Sequence, residues 1–194
     1  ESAYNPAYDR VEQIKTSDIA FLRKLCHEAG VSLKTTNKII VCFDQAQYEA
    51  KDEVLLIQRG DGTYTKYSVG TSTADTQYSS CRVRYNNPAK GQCITGIATD
   101  SKIKSKQQLE IEARVASVGE AQALAEKALR LHNKFQKTAS FTMIGNPDLV
   151  AGVTVKLQKF GGWDGKYLIS QAVHKVGSSG YTTQIQLRNV LEGY

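Results

Sequence analysis

Methionine is almost absent from this chain of 194 residues, which contains only Met143. The sequence also lacks an apolar run near the roughly 20 residues needed to cross a bilayer, and it lacks the charged and apolar regions of a signal peptide. We therefore expect no membrane-spanning contact. Because the sequence begins with Glu1 and its one Met is internal, we expect a processed chain or, in preference, an excised part of a longer protein.

Paired cysteines are also missing. The chain has four cysteines, and none belongs to a C-x-x-C pair of the kind that binds structural zinc. Each lies in an apolar or alternating stretch, where a reduced cysteine acts as a small core side chain. We predict no metal site and no cofactor, and four reduced thiols: Cys26, Cys42, Cys81 and Cys93.

The positive charge is concentrated in one segment. Lys and Arg outnumber Asp and Glu by 25 to 19, and residues 101–137 account for most of the excess, with eight basic and four acidic side chains (8 − 4 = +4). Phe135 is the only aromatic residue there, whereas nucleic-acid binders usually combine cations with aromatics or a recognisable reading module. A solvated basic face is favoured over a nucleic-acid site, and a polyanion-binding module is kept as the alternative. The cations in question are Lys102, Lys104, Lys106, Lys127, Arg130, Lys134 and Lys137.

A small helix and hairpin module is predicted at the start. Thr16 or Ser17 can cap a helix that runs to Gly30, because their hydroxyls accept hydrogen bonds from free amides and glycine tolerates the left-handed conformation. Strands over 31–35 and 39–43 follow, with a short turn between them. We assign this module to residues 1–50, with 1–15 as a linker.

Strand patterns dominate residues 51–194. Alternating or apolar runs bounded by turn residues predict eight or nine antiparallel strands, which favours an antiparallel β-barrel. Asp61-Gly62 predicts a tight hairpin between Val54–Gln58 and Tyr64–Val69. Polar positions on the strands, such as Arg82, Arg84, Glu110 and Glu112, face either solvent or a lumen.

One helix interrupts these strands at about 118–136. Ser117 and Glu120 have capping-box spacing, and an apolar stripe follows over about five turns. We predict that Leu124, Leu131 and Phe135 pack this helix on the barrel exterior. The expected fold is therefore α+β, mainly β: an antiparallel β-barrel with one inserted helix, preceded by the helix and hairpin module.

Catalytic residues are not predicted. Cys26 and His27 are adjacent on a helix and point about 100° apart, so they cannot form a nucleophile and base pair. His132 is expected in solvent. His174 lies in a strand, where a hydrogen-bonded structural histidine is favoured and a hydrolase is kept as an alternative. The glycines at 161, 162 and 165 match no phosphate-loop pattern and are interpreted as turn residues.

The order of three short motifs resembles one protein family. Gln13 with the segment from Thr16 to Gly30 is similar to the "Q…SD-x-x-FL-x-x-L…E-x-G" segment of phage late control D proteins, the baseplate hub proteins of contractile tails. Phe141 to Gly152 resembles their "G-x-P-x-L-x-x-G" turn, and Gly165 to Thr183 resembles their "G-x-Y-x-I…H…G-Y-T-T" ending. The hub region of type VI secretion spike proteins is similar to the same family.

The resemblance implies an assembly role. It implies a hub of two related β-barrels that forms a trimer in the full-length protein, contacts tail tube and spike proteins, and lies in the virion tail after assembly in the bacterial cytoplasm. On this resemblance the chain corresponds to the part after the first barrel. It implies no catalytic residue, no cofactor, no specific nucleic-acid site and no enzymatic activity.

Overall fold

The computed structural model describes residues 10–28, 31–36, 38–74, 76–87, 91–178 and 180–191. Helices in these ranges are α1 (Asp18–Glu28), α2 (Gln45–Ala50) and α3 (Val118–Asn133), and a 3-10 turn covers Gly161–Trp163. The described strands are β1 (Val31–Thr36), β2 (Ile39–Asp44), β3 (Glu53–Gln58), β4 (Tyr64–Thr71), β5 (Ser80–Asn87), β6 (Gln92–Thr99), β7 (Gln108–Glu112), β8 (Lys137–Ile144), β9 (Thr154–Gln158), β10 (Gly165–Gly177) and β11 (Gly180–Asn189). In these residues, no helix is long and apolar enough to cross a membrane.

The chain forms two compact units from alternating segments. One contains residues 1–46, 80–100 and 108–129, and the other contains 47–79, 101–107 and 130–194. This grouping of contacts differs from the sequence division at residue 50, which stays a prediction about domain organisation. Helices α2 and α3 each begin in one unit and end in the other.

The first unit contains the predicted helix and hairpin. Strands β1 and β2 pair antiparallel with Thr36 opposite Ile39, which confirms the two predicted strands. Helix α1 buries Cys26, whereas Ile19 is 45% exposed. The predicted helix end at Gly30 and the turn residue Asn37 lie outside the described residues.

The same unit contains a three-stranded sheet with β5 at its centre. Strand β6 pairs with β5 antiparallel, and β7 pairs with β5 parallel. The first three turns of α3 pack on this sheet, and Gly96 of β6 is their contact point: a Cβ atom at Gly96 would lie 2.6 Å from the Ala121 carbonyl oxygen. Only glycine allows the strand and helix backbones to approach this closely.

Helix α3 is shorter than predicted and buries only part of the predicted apolar stripe. Ser117 Oγ accepts a hydrogen bond from the Glu120 amide (3.2 Å), which confirms the predicted cap. The helix ends at Asn133, so Phe135 lies beyond it and is 44% exposed, while Leu124 and Leu131 are only half-buried. The buried face consists of Ala121, Ala125, Ala128 and Leu129. It shares Ala121 and Ala128 with the predicted apolar stripe, and its small residues allow the close approach at Gly96.

The second unit contains a six-stranded sheet in the order β3-β9-β10-β11-β8-β4. Every neighbouring pair is antiparallel except β3 and β9, which are parallel. The apolar core lies on one face of this sheet and includes Phe141, Leu149, Tyr167 and Ile185, each 1% exposed or less. The prediction of uniformly antiparallel strands was therefore wrong for β3 with β9, as it was for β5 with β7.

The predicted hairpin at Asp61-Gly62 is also wrong. Strands β3 and β4 are the two opposite edges of the six-stranded sheet, although only residues 59–63 connect them. In a flat sheet, five strand spacings would separate these edges by about 24 Å. The connecting residues fold into turns, with the Asp61 amide donating to the Gln58 carbonyl (3.2 Å), and reach less than the ~21 Å of an extended segment. The sheet must therefore curl.

Aromatic rings bridge the gap between the two edges. Phe160, directly after β9, contacts Tyr64 and Tyr67 of β4, with ring centroids 6.1 and 5.4 Å apart. Trp163 Nε1 donates a hydrogen bond to the Gly70 carbonyl (3.3 Å). Within the described residues no backbone ladder joins β3 to β4, so the sheet is a curled half-barrel, and the closed antiparallel barrel expected from sequence is not formed.

Candidate functional site

His174, the histidine singled out by sequence, lies on β10 and holds the loop between β8 and β9. Its Nε2 is 3.1 Å from the Leu149 carbonyl oxygen, and its Nδ1 is 2.8 Å from the Tyr181 hydroxyl. A carbonyl oxygen can only accept, so Nε2 carries the proton in this contact and Nδ1 of the neutral ring accepts from Tyr181. The histidine thus connects the loop with the β10-β11 hairpin.

Two of the sequence motifs meet at this histidine. Thr183 lies 3.2 Å from His174 Nδ1, and its hydroxyl accepts a hydrogen bond from the Asn146 amide (2.9 Å). The Gly145 amide donates to the Tyr181 carbonyl (2.9 Å), and a side chain at Gly145 would overlap the Tyr181 ring. The glycine and proline turn and the "G-Y-T-T" segment therefore form one hydrogen-bonded loop anchor.

This loop anchor is not built as a nucleophile and base pair. The aliphatic hydroxyl of Thr183 lies 3.2 Å from the imidazole, and the exposed fraction of this residue is 0%. A nucleophile must reach its substrate as well as its base. The geometry instead satisfies buried polar groups and fixes a loop, which is the structural reading that the sequence favoured.

A buried ionic cluster lies in the same unit, and the sequence analysis missed it. Glu49 of α2 is 4% exposed and pairs with two arginines, Arg188 at 2.6 Å and Arg130. Arg188 is 3% exposed and also donates to the Asn189 carbonyl (3.2 Å). Glu49 was not found because it stands in a polar stretch read as a connection between strands. We call these three residues with Lys134 the Glu49 cluster.

Lys134 gives the Glu49 cluster an excess of positive charge. It is 7% exposed, and burial lowers the pKa of its amino group to about 8, helped by the Arg188 charge. Burial also lowers the pKa of Arg188, although Glu49 opposes that shift. Among the described residues, the carboxylate of Glu49 pairs with Arg130 and Arg188 and acts on Lys134, and removing such a carboxylate would leave buried charge uncompensated.

The Glu49 cluster removes two cations from the predicted basic face. Arg130 is paired and Lys134 is buried, so residues 101–137 do not present their charge as one patch. Lys102, Lys104 and Lys106 remain exposed on a separate segment. A polyanion site would need clustered cations on an accessible surface.

The polar faces of β5 and β7 carry opposite charges. Arg82 Nη1 lies 3.4 Å from Glu110 Oε1, and the two side chains are 37% and 62% exposed. A shallow cleft of about 370 Å³ lies at the end of these strands, lined by Arg84, Tyr85, Asn86, Glu112, Ala113 and Arg114. Arg84, Glu110 and Glu112 are exposed in the single chain and Arg82 is half-buried.

The remaining candidates are dispersed. His132 meets the Tyr78 ring edge-on, with centroids 5.6 Å apart, and the His27 side chain lies outside the described residues. Gly161 and Gly165 have φ angles of 69° and 139°, which confirms them as turn glycines. In the part of the chain that the structure describes, no three His, Cys, Asp or Glu side chains are grouped to hold a metal ion.

Two comparisons relate this chain to known proteins. Residues 46–188 match the family model described as YQBQ-like. A 43 kDa tail protein of prophage MuSo2 from Shewanella oneidensis is similar in structure, with a TM-score of 0.71 and 18% identity over 91% of this chain and 56% of that one. None of the curated protein sequences matches.

Further structures share the fold. The tail protein from Neisseria meningitidis MC58 has a TM-score of 0.73 and 13% identity over 97% of this chain and 60% of that one. Prophage tail protein gp18 from Listeria monocytogenes EGD-e has a TM-score of 0.57 and 15% identity over 91% and 53% of the respective chains. This chain thus spans a little over half the length of these proteins, and at such identities the likeness shows the fold.

Proposed function

Because the chain belongs to the YQBQ-like family, we propose that it is a structural component of a phage or prophage tail. The observation that carries this proposal is its likeness to tail proteins over 91–97% of its length at TM-scores of 0.71 and 0.73. Two motifs in the sequence resemblance meet in the loop anchor at His174. The chain would be located in the virion tail after assembly in the bacterial cytoplasm.

We further propose a more specific place, the baseplate hub. On this proposal the full-length protein forms a trimer of the late control D type, whose barrels make part of a ring between the tail tube and the spike. Support comes from the motif order and from the curled half-barrel, because a strongly curved sheet suits the wall of a ring. The division into a 1–50 module and a 51–194 barrel belongs to this proposal.

A non-enzymatic role follows from the same proposal. The best candidate for catalysis, His174, contacts a carbonyl, a tyrosine and a fully buried threonine rather than an accessible nucleophile. Catalytic, cofactor and metal residues are therefore proposed to be absent from this chain.

The test is to locate the protein in particles. A lysogen whose tail gene carries this sequence with a short epitope tag is induced, and released particles are labelled with gold-coupled antibody for electron microscopy. Label confined to the tail end supports the hub, label along the shaft supports a different tail role, and unlabelled tails overturn the tail proposal. Light scattering of the purified full-length protein should give three subunits, and a monomer would contradict the trimer.

The alternative is a polyanion-binding module. The exposed Lys102, Lys104 and Lys106 favour it, whereas the burial of Lys134 and the pairing of Arg130 oppose it. Fluorescence anisotropy with labelled duplex DNA decides between the two. We expect no binding at physiological salt; saturable binding that weakens steeply with salt, and that Lys104→Gln with Lys106→Gln reduces, would favour the alternative.

A further inference from the structure

Two cysteines from different elements of the first unit lie side by side. Cys26 is on α1, Cys42 is on β2, and their Sγ atoms are 3.9 Å apart. Both are free thiols, and the two differ in access: Cys26 is buried and Cys42 is exposed. Sequence spacing could not show this pair, because sixteen positions separate the two residues.

The Sγ atoms of Cys26 and Cys42 are in van der Waals contact and are not bonded. An S–S bond measures about 2.05 Å, so the two sulfur atoms need to approach by about 2 Å. A rotation of one or both χ1 angles can move Sγ over such a distance, and the exposed position of Cys42 leaves room for it. The other two cysteines provide no such pair: Cys81 is buried in β5, and the sulfur of Cys93 contacts the Thr95 hydroxyl at 3.7 Å.

We propose that Cys26 and Cys42 form a reversible disulfide that links α1 to β2. The oxidant is a low-molecular-weight disulfide such as oxidised glutathione. The Cys42 thiolate attacks one sulfur of the oxidant and releases one molecule of reduced thiol, which leaves a mixed disulfide on Cys42. The Cys26 thiolate then attacks the Cys42 sulfur and releases the second. Two protein thiols lose two electrons and two protons, and one oxidant becomes two thiols.

The order of attack follows from access and burial. Only Cys42 can meet an oxidant in solution, because the sulfur of Cys26 is covered. Burial, with the neighbouring Cys42, also raises the pKa of the Cys26 thiol above its ordinary value of 9.0. At neutral pH few Cys26 thiols are ionised, so closure of the disulfide should accelerate about tenfold per pH unit below that pKa.

The link would strengthen a weakly packed part of the molecule. Ile39 and Ile40 of β2 are 63% and 54% exposed, and Ile19 of α1 is 45% exposed, so this helix and hairpin share little apolar core. A cross-link between residues 26 and 42 restricts the unfolded segment and holds the helix on the hairpin. The thiol and disulfide forms would thus differ in how firmly α1 is held.

The test counts thiols and locates the bond. The full chain is incubated with oxidised glutathione, denatured, and titrated with a thiol reagent, while intact mass and non-reducing peptide mapping follow the products. We expect a loss of two hydrogen masses, a peptide that joins Cys26 to Cys42, and reversal by dithiothreitol. A glutathione adduct on Cys93 provides an internal measure that an exposed thiol has reacted.

Three single variants separate the steps. Cys42→Ser should lose the cross-link, Cys26→Ser should stop at a stable glutathione adduct on Cys42, and Cys93→Ser should still form the cross-link. The adduct on Cys42 shows that Cys26→Ser reacts normally, and circular dichroism confirms that each variant is folded. Glutathione adducts on Cys42 in the natural sequence without closure, or a bond that maps to another pair or between two chains, would overturn the proposal.

Discussion

Replacing Glu49 with Gln should destabilise the second unit strongly. The change keeps the shape of the side chain and removes the negative charge that pairs with Arg130 and Arg188 and acts on Lys134. Both arginines would lose a charge-assisted hydrogen bond, and the positive charges of Arg130, Arg188 and Lys134 would then repel each other. Breaking a buried ion pair from one side costs about 3–5 kcal/mol, a large part of the roughly 5–15 kcal/mol that stabilises a domain.

Urea unfolding measures this cost directly. Trp163 is the only tryptophan of the chain and lies in the same unit as Glu49, so its fluorescence reports unfolding of that unit. A matched control is Glu53→Gln, because Glu53 pairs with Lys156 at 3.7 Å with both side chains exposed. Such a surface pair contributes about 0–1 kcal/mol. We expect Glu49→Gln to lower the free energy of unfolding by at least 2 kcal/mol more than the control.

A second test removes a positive charge from the Glu49 cluster and should raise stability rather than lower it. Lys134→Met in the Glu49→Gln background removes one of the repelling charges and keeps an apolar stem of similar length, so it should restore part of the lost stability. If Glu49→Gln costs no more than Glu53→Gln, or if Lys134→Met destabilises the Glu49→Gln protein further, the electrostatic account of the Glu49 cluster is refuted.

Three further changes test other parts of the fold. Gly96→Ala should lower the free energy of unfolding by about 3 kcal/mol, measured by urea unfolding with circular dichroism, because its Cβ overlaps the backbone of α3. Gly177 has open space around it, so the control Gly177→Ala should change stability by under about 0.5 kcal/mol. Equal costs for the two variants would contradict the close approach at Gly96. Phe160→Ala should cost about 3–5 kcal/mol, read from Trp163 fluorescence, by removing the ring between the sheet edges, and a cost under 1 kcal/mol would show that the gap closes without it. Lys134 has a folded pKa of about 8 against 10.5 in the unfolded chain, so its buried charge costs most stability below pH 8. From about pH 8 to 10.5 the unfolded state binds more protons, and the free energy of unfolding rises with pH by about 3 kcal/mol at most. Lys134→Met should remove that rise relative to the natural chain, and parallel curves of stability against pH for the two proteins would count against it.

Local patterns located most elements of this fold. The strands from β1 to β4 and helices α1 and α3 were predicted within a few residues, because alternation, caps and turn glycines act over short distances. Helix α2 was not predicted, since its six residues, QAQYEA, are too few to show an apolar period. The helix face was predicted in part, since Ala121 and Ala128 of the predicted stripe are buried, whereas Phe135 lies beyond the helix end.

Pairing between strands could not be read from the same patterns. Asp61-Gly62 has the chemistry of a tight turn, and the Asp61 carboxylate does accept the Thr63 amide (2.9 Å), yet β3 and β4 pair with partners far along the chain. Glu49 has no sequence signal that marks it as buried, since its two arginines lie 81 and 139 positions away. Long-range contacts of this kind determine the order of the strands, the lack of backbone pairing between β3 and β4 among the described residues, and the Glu49 cluster.

Strand β3 and its partner β9 are far apart in the sequence, and this has a consequence for synthesis of the chain. Gln58 of β3 hydrogen-bonds Gln158 of β9, 100 positions later. At about 5–20 residues per second a ribosome needs roughly 5–20 s to make that stretch, and during this time the apolar side of β3 has no sheet to join. The six-stranded sheet can form only when nearly all of the chain has emerged, so newly made chains should depend on chaperones and should aggregate when overproduced rapidly.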